Sequence, residues 1–201
     1  MITSEHKQGT PEWLAERAGI PTSSSFDMIV TTLGKPSKQR QKYLYTLVAE
    51  RLTGVKADHY QSANMQRGVE LEAEARAMYE FITGNEVAEV GACFSDEKKL
   101  WASSPDGLIG KVGALEIKCP LSHTHIEYLL KGELPAAYFA QIQGQLFVTG
   151  RKWVDFFSYY PALKPLLIRV TPDQVFLKSL RMELEIFCKE LDTITEQVRR
   201  A

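Results

Sequence analysis

Ser103-Ser104-Pro105-Asp106-Gly107-Leu108-Ile109-Gly110-Lys111-Val112-Gly113-Ala114-Leu115-Glu116-Ile117-Lys118-Cys119-Pro120 is the stretch on which the reading of this chain turns. Asp-Gly is a strong turn signal and puts Asp106 at a turn. Residues 108–109 and 114–118 read as strands, and the hairpin between them brings Asp106 and Glu116 together at one end. Strand side chains alternate, so Glu116 and Lys118 share a face while Leu115 and Ile117 point the other way. Two such residues lie about 6–7 Å apart at their Cα atoms, from a rise of about 3.3 Å per residue. That is near enough for the carboxylate to hold a divalent cation while the ammonium reaches a water on the same ion. An acid and a base buried on one strand are costly unless a partner or a metal offsets them.

Around this segment the composition is that of a globular protein. The chain has 201 residues, 44% of them apolar and 24% charged, which suits one domain over 1–201 with a full hydrophobic core. No apolar run approaches a membrane span, and Met-Ile-Thr-Ser-Glu-His-Lys lacks the apolar centre of a signal peptide. Cys93, Cys119 and Cys188 form no Cys-x-x-Cys pair, which points to a reducing cytoplasm and away from a zinc site or disulfide framework. The net charge of −1 excludes little, because basic residues can cluster on nucleic acid while acids hold metal.

Outward from the segment, helix patterns cover 11–18, with Thr10 as cap and Pro11 at the first position, then 36–51 and 63–83. Tyr43, Leu44, Leu47, Val48 and Leu52 share one side of the second helix, which Gly54 closes. Lys35, Lys38, Arg40 and Lys42 at its start are either a solvated helix end or a phosphate-facing patch. Strand patterns follow over 86–94 and 100–104, helices over 123–131 and 136–149, and a closing pair of strands over 153–160 and 166–170. Thr171-Pro172-Asp173-Gln174 then offers a capping box to a last helix. Its Leu177, Leu180, Leu184, Phe187, Leu191, Ile194 and Val198 form a seam for its own sheet or for another subunit. The order predicts a mixed α/β fold with a largely antiparallel sheet flanked by helices.

Read alone, Asp106-Gly107 is no more than a turn, and Glu116 and Lys118 no more than the charged face of an edge strand. Asp, nine residues, then Glu-x-Lys is a stronger pattern. Its carboxylates match the oxygen preference of Mg²⁺, and a metal would acidify bound water while Lys118 orients it.

Ser-Pro-Asp-Gly followed by Leu-Glu-Ile-Lys-Cys-Pro resembles the phage lambda exonuclease (YqaJ-type viral recombinase) branch of the PD-(D/E)XK nucleases. The resemblance extends to residues 13–25, 43–50 and 67–75, and to Ala140-Gln141-Ile142-Gln143 before Phe147-Val148-Thr149. It implies a restriction-endonuclease-like core. It also implies metal ligation by Asp106, Glu116, the Ile117 carbonyl and Glu72, with Lys118 as the active-site lysine and Gln141 ordering the site. Glu72 shares a helical face with Met65 and Val69, which aims it inward, whereas Glu70 and Glu74 read as solvated. Gln143 is a second glutamine beside the site. Arg17, Ser24 and Ser104 match positions that hold a 5′-terminal phosphate. Relatives carry an additional Arg shortly after Lys-Cys-Pro; here the chain has Ser122-His123-Thr124-His125, so a histidine, His123 first, stands in or the phosphate requirement is weaker.

The function implied is a metal-dependent 5′→3′ exonuclease digesting one strand of linear double-stranded DNA with a 5′-phosphorylated end. Its products would be 5′-mononucleotides and a 3′ overhang. Two Mg²⁺ per site, with Mn²⁺ as a substitute, a ring-shaped homotrimer and a phage single-strand annealing protein as partner belong to the same implication. Two alternatives stay open: a site- or structure-specific endonuclease with the same metal core, and a non-catalytic DNA-binding protein.

Overall fold

The computed structural model describes residues 1–57 and 63–201, with the side chains of residues 63–65 left aside. Two sheets carry the fold. The smaller runs β1 (Ile2–Thr3), β2 (Cys93–Phe94), β3 (Ala102–Ser103), all antiparallel. The larger runs β4 (Gly107–Ile109), β5 (Gly113–Lys118), β6 (Trp153–Ser158), β7 (Leu166–Val170). β4–β5 and β6–β7 are antiparallel, but β5 and β6 are parallel, pairing Leu115 with Asp155 and Glu116 with Phe156. A parallel pair needs a long crossover. Helices α4 (Ser122–Lys131) and α5 (Ala136–Thr149) supply it. β6 is thus a central strand beside β5, and the sheet is mixed.

The helices cover both faces of β5. Leu115 and Ile117 pack with Ala75 and Tyr79 of α3 (Ala63–Thr83) and with Phe157. Ala114 on the other face packs with Ile142 and Leu146 of α5, Val154 and Phe156. A third cluster joins α5 to α2 (Arg40–Thr53), to a 3-10 helix over Ser23–Met28 and to α6 (Gln174–Arg200). Gly144 is required there, since a Cβ would lie 2.5 Å from Cδ2 of Phe26. Among the described residues no helix is long and apolar enough to cross a membrane.

Several expected boundaries move, each for a local reason. Asp106-Gly107 is not the hairpin turn: Gly107 lies inside β4, where its Cβ would meet Cγ1 of Val87 at 2.1 Å, and the chain reverses beyond Ile109. The 86–94 stretch is not one strand. Ala88 only bridges to Leu108, and Gly91 lies against the carbonyls of Ser4 and His6 before β2 begins. The second helix begins at Arg40, not Pro36, because Pro36 bridges to Val30 and the Ser37 N–H is spent on the Ile29 carbonyl. Thr10 caps α1 (Pro11–Glu16), and Gly54 ends α2 in the left-handed conformation.

α6 is capped by Asp173, which accepts from the N–H groups of Val175 and Phe176, two residues beyond the expected cap. Its seam is spent internally. Leu180, Leu184, Phe187 and Leu191 are fully buried, Leu177 and Ile194 pack on the same cluster, and Val198 is exposed. The basic group at the start of α2 divides, since Arg40 pairs with Glu183 and Glu190 of α6 while Lys35, Lys38 and Lys42 are exposed.

Candidate functional site

Asp106 continues the sheet with its side chain. β4 stops pairing with β5 at Gly107–Leu115, and the Asp106 N–H donates to the Leu115 carbonyl at 3.0 Å. One step further along β5, where no backbone partner is left on that side, the Ile117 N–H donates to Asp106 Oδ2 at 2.6 Å. The ladder therefore fixes the carboxylate beside the end of β5.

Glu116 lies on the α5 side of the same strand and is 1% exposed. Its Oε1 accepts from Lys118 Nζ at 2.5 Å and from Gln141 Nε2 at 2.6 Å, and its Oε2 accepts from Gln145 Nε2. The shared face expected of Glu116 and Lys118 is thus present as a direct ion pair. The Lys118 ammonium also stands 5.2 Å over the Tyr138 ring. From α3, Glu72 leans toward these groups but is paired with Arg76 at 2.7 Å. Arg76 also binds Glu89 at 2.7 Å and reaches the Asp106 carbonyl at 3.5 Å.

The electrostatics are those of crowded acids. Burial, and next the Glu116 carboxylate, push Asp106 well above the ordinary carboxylate range, while Lys118 pulls against them. Burial also raises Glu72; Arg76 opposes the rise and Glu116 adds to it. Burial alone would lower Lys118, but Glu116 and Asp106 outweigh it and hold the ammonium charged. An oxygen-rich set short of positive charge suits a hard divalent cation. Asp106 and Glu116 are its best-placed holders. Among the described residues no three His, Cys, Asp or Glu side chains already converge as a cage, and Glu72 is paired with Arg76.

A second feature is a cleft of about 740 Å³ between α1, the 3-10 helix and α2. Arg17 and Ser24 both line it, with Trp13, Lys42 and Lys56. Arg17 is 8% exposed, stacks its guanidinium 3.8 Å from the Trp13 ring centroid, and makes no side-chain hydrogen bond among the described residues. Burial pushes it down to about 10, with Tyr43 and Glu50 opposing, so it is a cation at neutral pH. Glu50 is occupied elsewhere, by the N–H groups of Gly19 and Ala57 and by Lys56. Among the described residues Arg17 thus faces the cleft as a buried cation with no salt-bridge partner, although Glu50 lines the same cleft.

Other expected site residues fall differently. Ser104 does not line the cleft; its buried hydroxyl meets no partner among the described residues, while neighbouring Ser103 bonds Ser23 at 2.8 Å. His123 is exposed on the first turn of α4. His125 is structural: fully buried, it bonds Ser158 at 2.8 Å and the Lys164 carbonyl at 3.0 Å. Gln143 is structural as well. It ties the Thr171 carbonyl and the Asp173 N–H, joining β7 to α6. Val69 is exposed and does not aim Glu72, and the side chain of Met65 lies outside the described residues. Glu70 is exposed, and Glu74, though exposed, accepts from the Tyr159 hydroxyl at 2.5 Å. Gln145, Arg76 and Tyr138 were missed. Gln145 carries a usable signal, for it lies four residues after Gln141 on one helical face.

A family model described as the YqaJ-like viral recombinase domain matches residues 12–152. Among solved structures the chain is similar to an alkaline exonuclease from Laribacter hongkongensis, at 37% identity over 95% of this chain and 97% of that one, with a TM-score of 0.86. The same values hold for that enzyme in complex with dAMP. A phage-related exonuclease from Haemophilus somnus 129PT shares the fold, with a TM-score of 0.69 at 15% identity over 89% of this chain and 96% of that one. No curated protein sequence gives a significant match. The matched span runs from α1 almost to the start of β6 and takes in Arg17, Glu72, Gln141 and the whole Asp106–Lys118 segment. With this mixed α/β core of PD-(D/E)XK type, the chain belongs to the YqaJ-like viral recombinase domain family.

Proposed function

We propose that this protein is a divalent-metal-dependent 5′→3′ exonuclease, one domain over 1–201, that digests one strand of linear double-stranded DNA to 5′-mononucleotides and leaves a 3′ overhang. The observation that carries the reading is the meeting of Asp106, Glu116 and Lys118 at the end of β5, with more carboxylate than cation around them. Kinship at 37% identity with an alkaline exonuclease supports it, and that enzyme's complex with dAMP supports a mononucleotide product.

Asp106 and Glu116, with the Ile117 carbonyl and Glu72, would hold two Mg²⁺, or Mn²⁺ in their place. Bound there, the ions supply Lewis acidity and an acidified water. Lys118 remains an ammonium and so serves as a donor, not a base: it orients water or meets charge gathering on the phosphate oxygens. Gln141 and Lys118 both hold Oε1 of the Glu116 carboxylate. Arg17 and Ser24 hold a terminal 5′-phosphate in the cleft and read no base. Water attacks the scissile phosphorus in line, the bond to the 3′ oxygen breaks, and that oxygen takes a proton. The shortened strand keeps a 5′-phosphate that suits the same cleft for the next cycle.

A cytoplasmic homotrimer that hands its overhang to a single-strand annealing protein completes the reading. The trimer rests on family likeness and not on α6, whose seam is filled from within. The test is digestion of linear duplex DNA bearing a 5′-phosphate or 5′-hydroxyl, with Mg²⁺ or EDTA. Mg²⁺-dependent mononucleotide release, faster from phosphorylated ends and lost in Asp106→Ala and Lys118→Ala, is the expected result. Full activity in either variant defeats the mechanism, and cutting of closed circular DNA favours an endonuclease.

A further inference from the structure

We propose that Gln145 is a positioning residue for Glu116, completing with Gln141 a two-amide clamp that leaves the carboxylate one free acceptor position, on Oε2. The inference rests on the metal-dependent nuclease reading and deepens it.

Gln141 and Gln145 stand one turn apart on α5 and reach the two oxygens of one carboxylate. Each carboxylate oxygen accepts about two hydrogen bonds. Oε1 has both, from Lys118 and Gln141, whereas Oε2 has one, from Gln145. A cation held by Glu116 is therefore directed to Oε2. Without Gln145 the carboxylate is free to twist, and that direction is lost.

Gln145 is fully buried, and the atom facing the carboxylate is its NH₂, because a carboxylate only accepts. The other end of the amide, Oε1, is buried and meets no donor among the described residues. A core selected for packing alone would place an apolar side chain there, since an orphaned buried acceptor is a cost. The two-amide clamp is not repeated at Asp155, which is held by a guanidinium and a phenol.

Gln145→Met keeps the length of the side chain and removes the donor. Mg²⁺ is titrated into the wild type and the variant by calorimetry, mononucleotide release is followed against Mg²⁺ concentration, and melting temperature controls for folding. The variant should bind Mg²⁺ about tenfold more weakly, the size of effect typical for groups that orient a metal ligand. Its kcat should fall with KM for DNA ends unchanged. Mg²⁺ affinity equal to the wild type's overturns the proposal, even where activity drops. If Gln145→Met does not fold, Gln145→Asn, whose amide is one carbon too short, takes the same two outcomes. A wild type that neither binds Mg²⁺ nor releases nucleotides defeats the nuclease reading itself; a wild type that does both, matched by its variant, defeats only the role of Gln145.

Discussion

Glu116 and Asp155 sit on neighbouring strands, one position out of step, and face opposite sides of the same sheet. Both are essentially inaccessible, and each accepts three hydrogen bonds. Asp155 is complete. The Arg169 guanidinium grips both its oxygens at 2.8 and 2.9 Å while stacking on Trp153, and Tyr79 donates at 2.7 Å. Glu116 has only one cation, which Asp106 also draws upon, and two neutral amides. A buried carboxylate is therefore not in itself a sign of function. The sign is charge that its neighbours leave uncompensated.

The largest effects should separate the two acids. Glu116→Gln should lower nucleotide release by more than about a hundredfold, beyond the loss usual for groups that merely support a metal ligand. Its stability in chemical denaturation should hold or rise, because an acid crowded by acids has been neutralised. Asp155→Ala should do the reverse. It strips Tyr79 of its acceptor and leaves Arg169 to solvent, of which its side chain already sees 53%. The expected loss is about 2–3 kcal/mol, with the folded fraction still active. A destabilised Glu116→Gln beside a stable Asp155→Ala would break the comparison.

Next in size is a dependence on pH. Asp106 has a folded-state pKa raised above its unfolded value, so between the two the native state binds the proton more tightly. Metal-free protein should therefore lose stability as pH rises from the ordinary carboxylate range, near 3.8, through the raised value. Added Mg²⁺ should remove that loss, and Asp106→Asn should flatten it without metal. Melting temperatures across the pH series, with and without Mg²⁺, decide the point. A slope unaltered by both changes would place the crowding elsewhere.

The same comparison shows what the sequence can disclose. Asp106, Glu116 and Lys118 were legible because strand alternation and a short intervening segment are local, and so was the burial of Leu115 and Ile117 on the other face. The partners were less so. Gln145 matters through a strand some thirty residues away, and Arg76 matters through Glu72, Glu89 and the Asp106 carbonyl at once. Gly107 read as a turn because a glycine needed for a close approach looks in sequence like one needed for a bend. The α6 seam was visible, but whether it serves its own core or another subunit is decided by where α2 and α5 lie.

Arg17 carries the comparison to the opposite sign, and its expected effect is the smallest. Among the described residues it is a buried cation with no salt-bridge partner, facing a cleft, as Glu116 is an acid short of cations. If that imbalance marks a site for the 5′-phosphate, Arg17→Ala should erase the preference for phosphorylated over hydroxyl ends. It should leave the rate on hydroxyl ends within about twofold of the wild type. A charge-assisted hydrogen bond contributes about 1.5–3 kcal/mol, which bounds the lost preference at roughly ten- to a hundredfold. His123→Ala is the control, for His123 stands exposed on α4 and is not among the residues lining the cleft. It should leave the preference unchanged. Initial rates on matched duplexes differing only at the 5′ end measure both variants. If His123→Ala removes the preference and Arg17→Ala does not, then the exposed histidine, and not the buried arginine, reads the end of the strand.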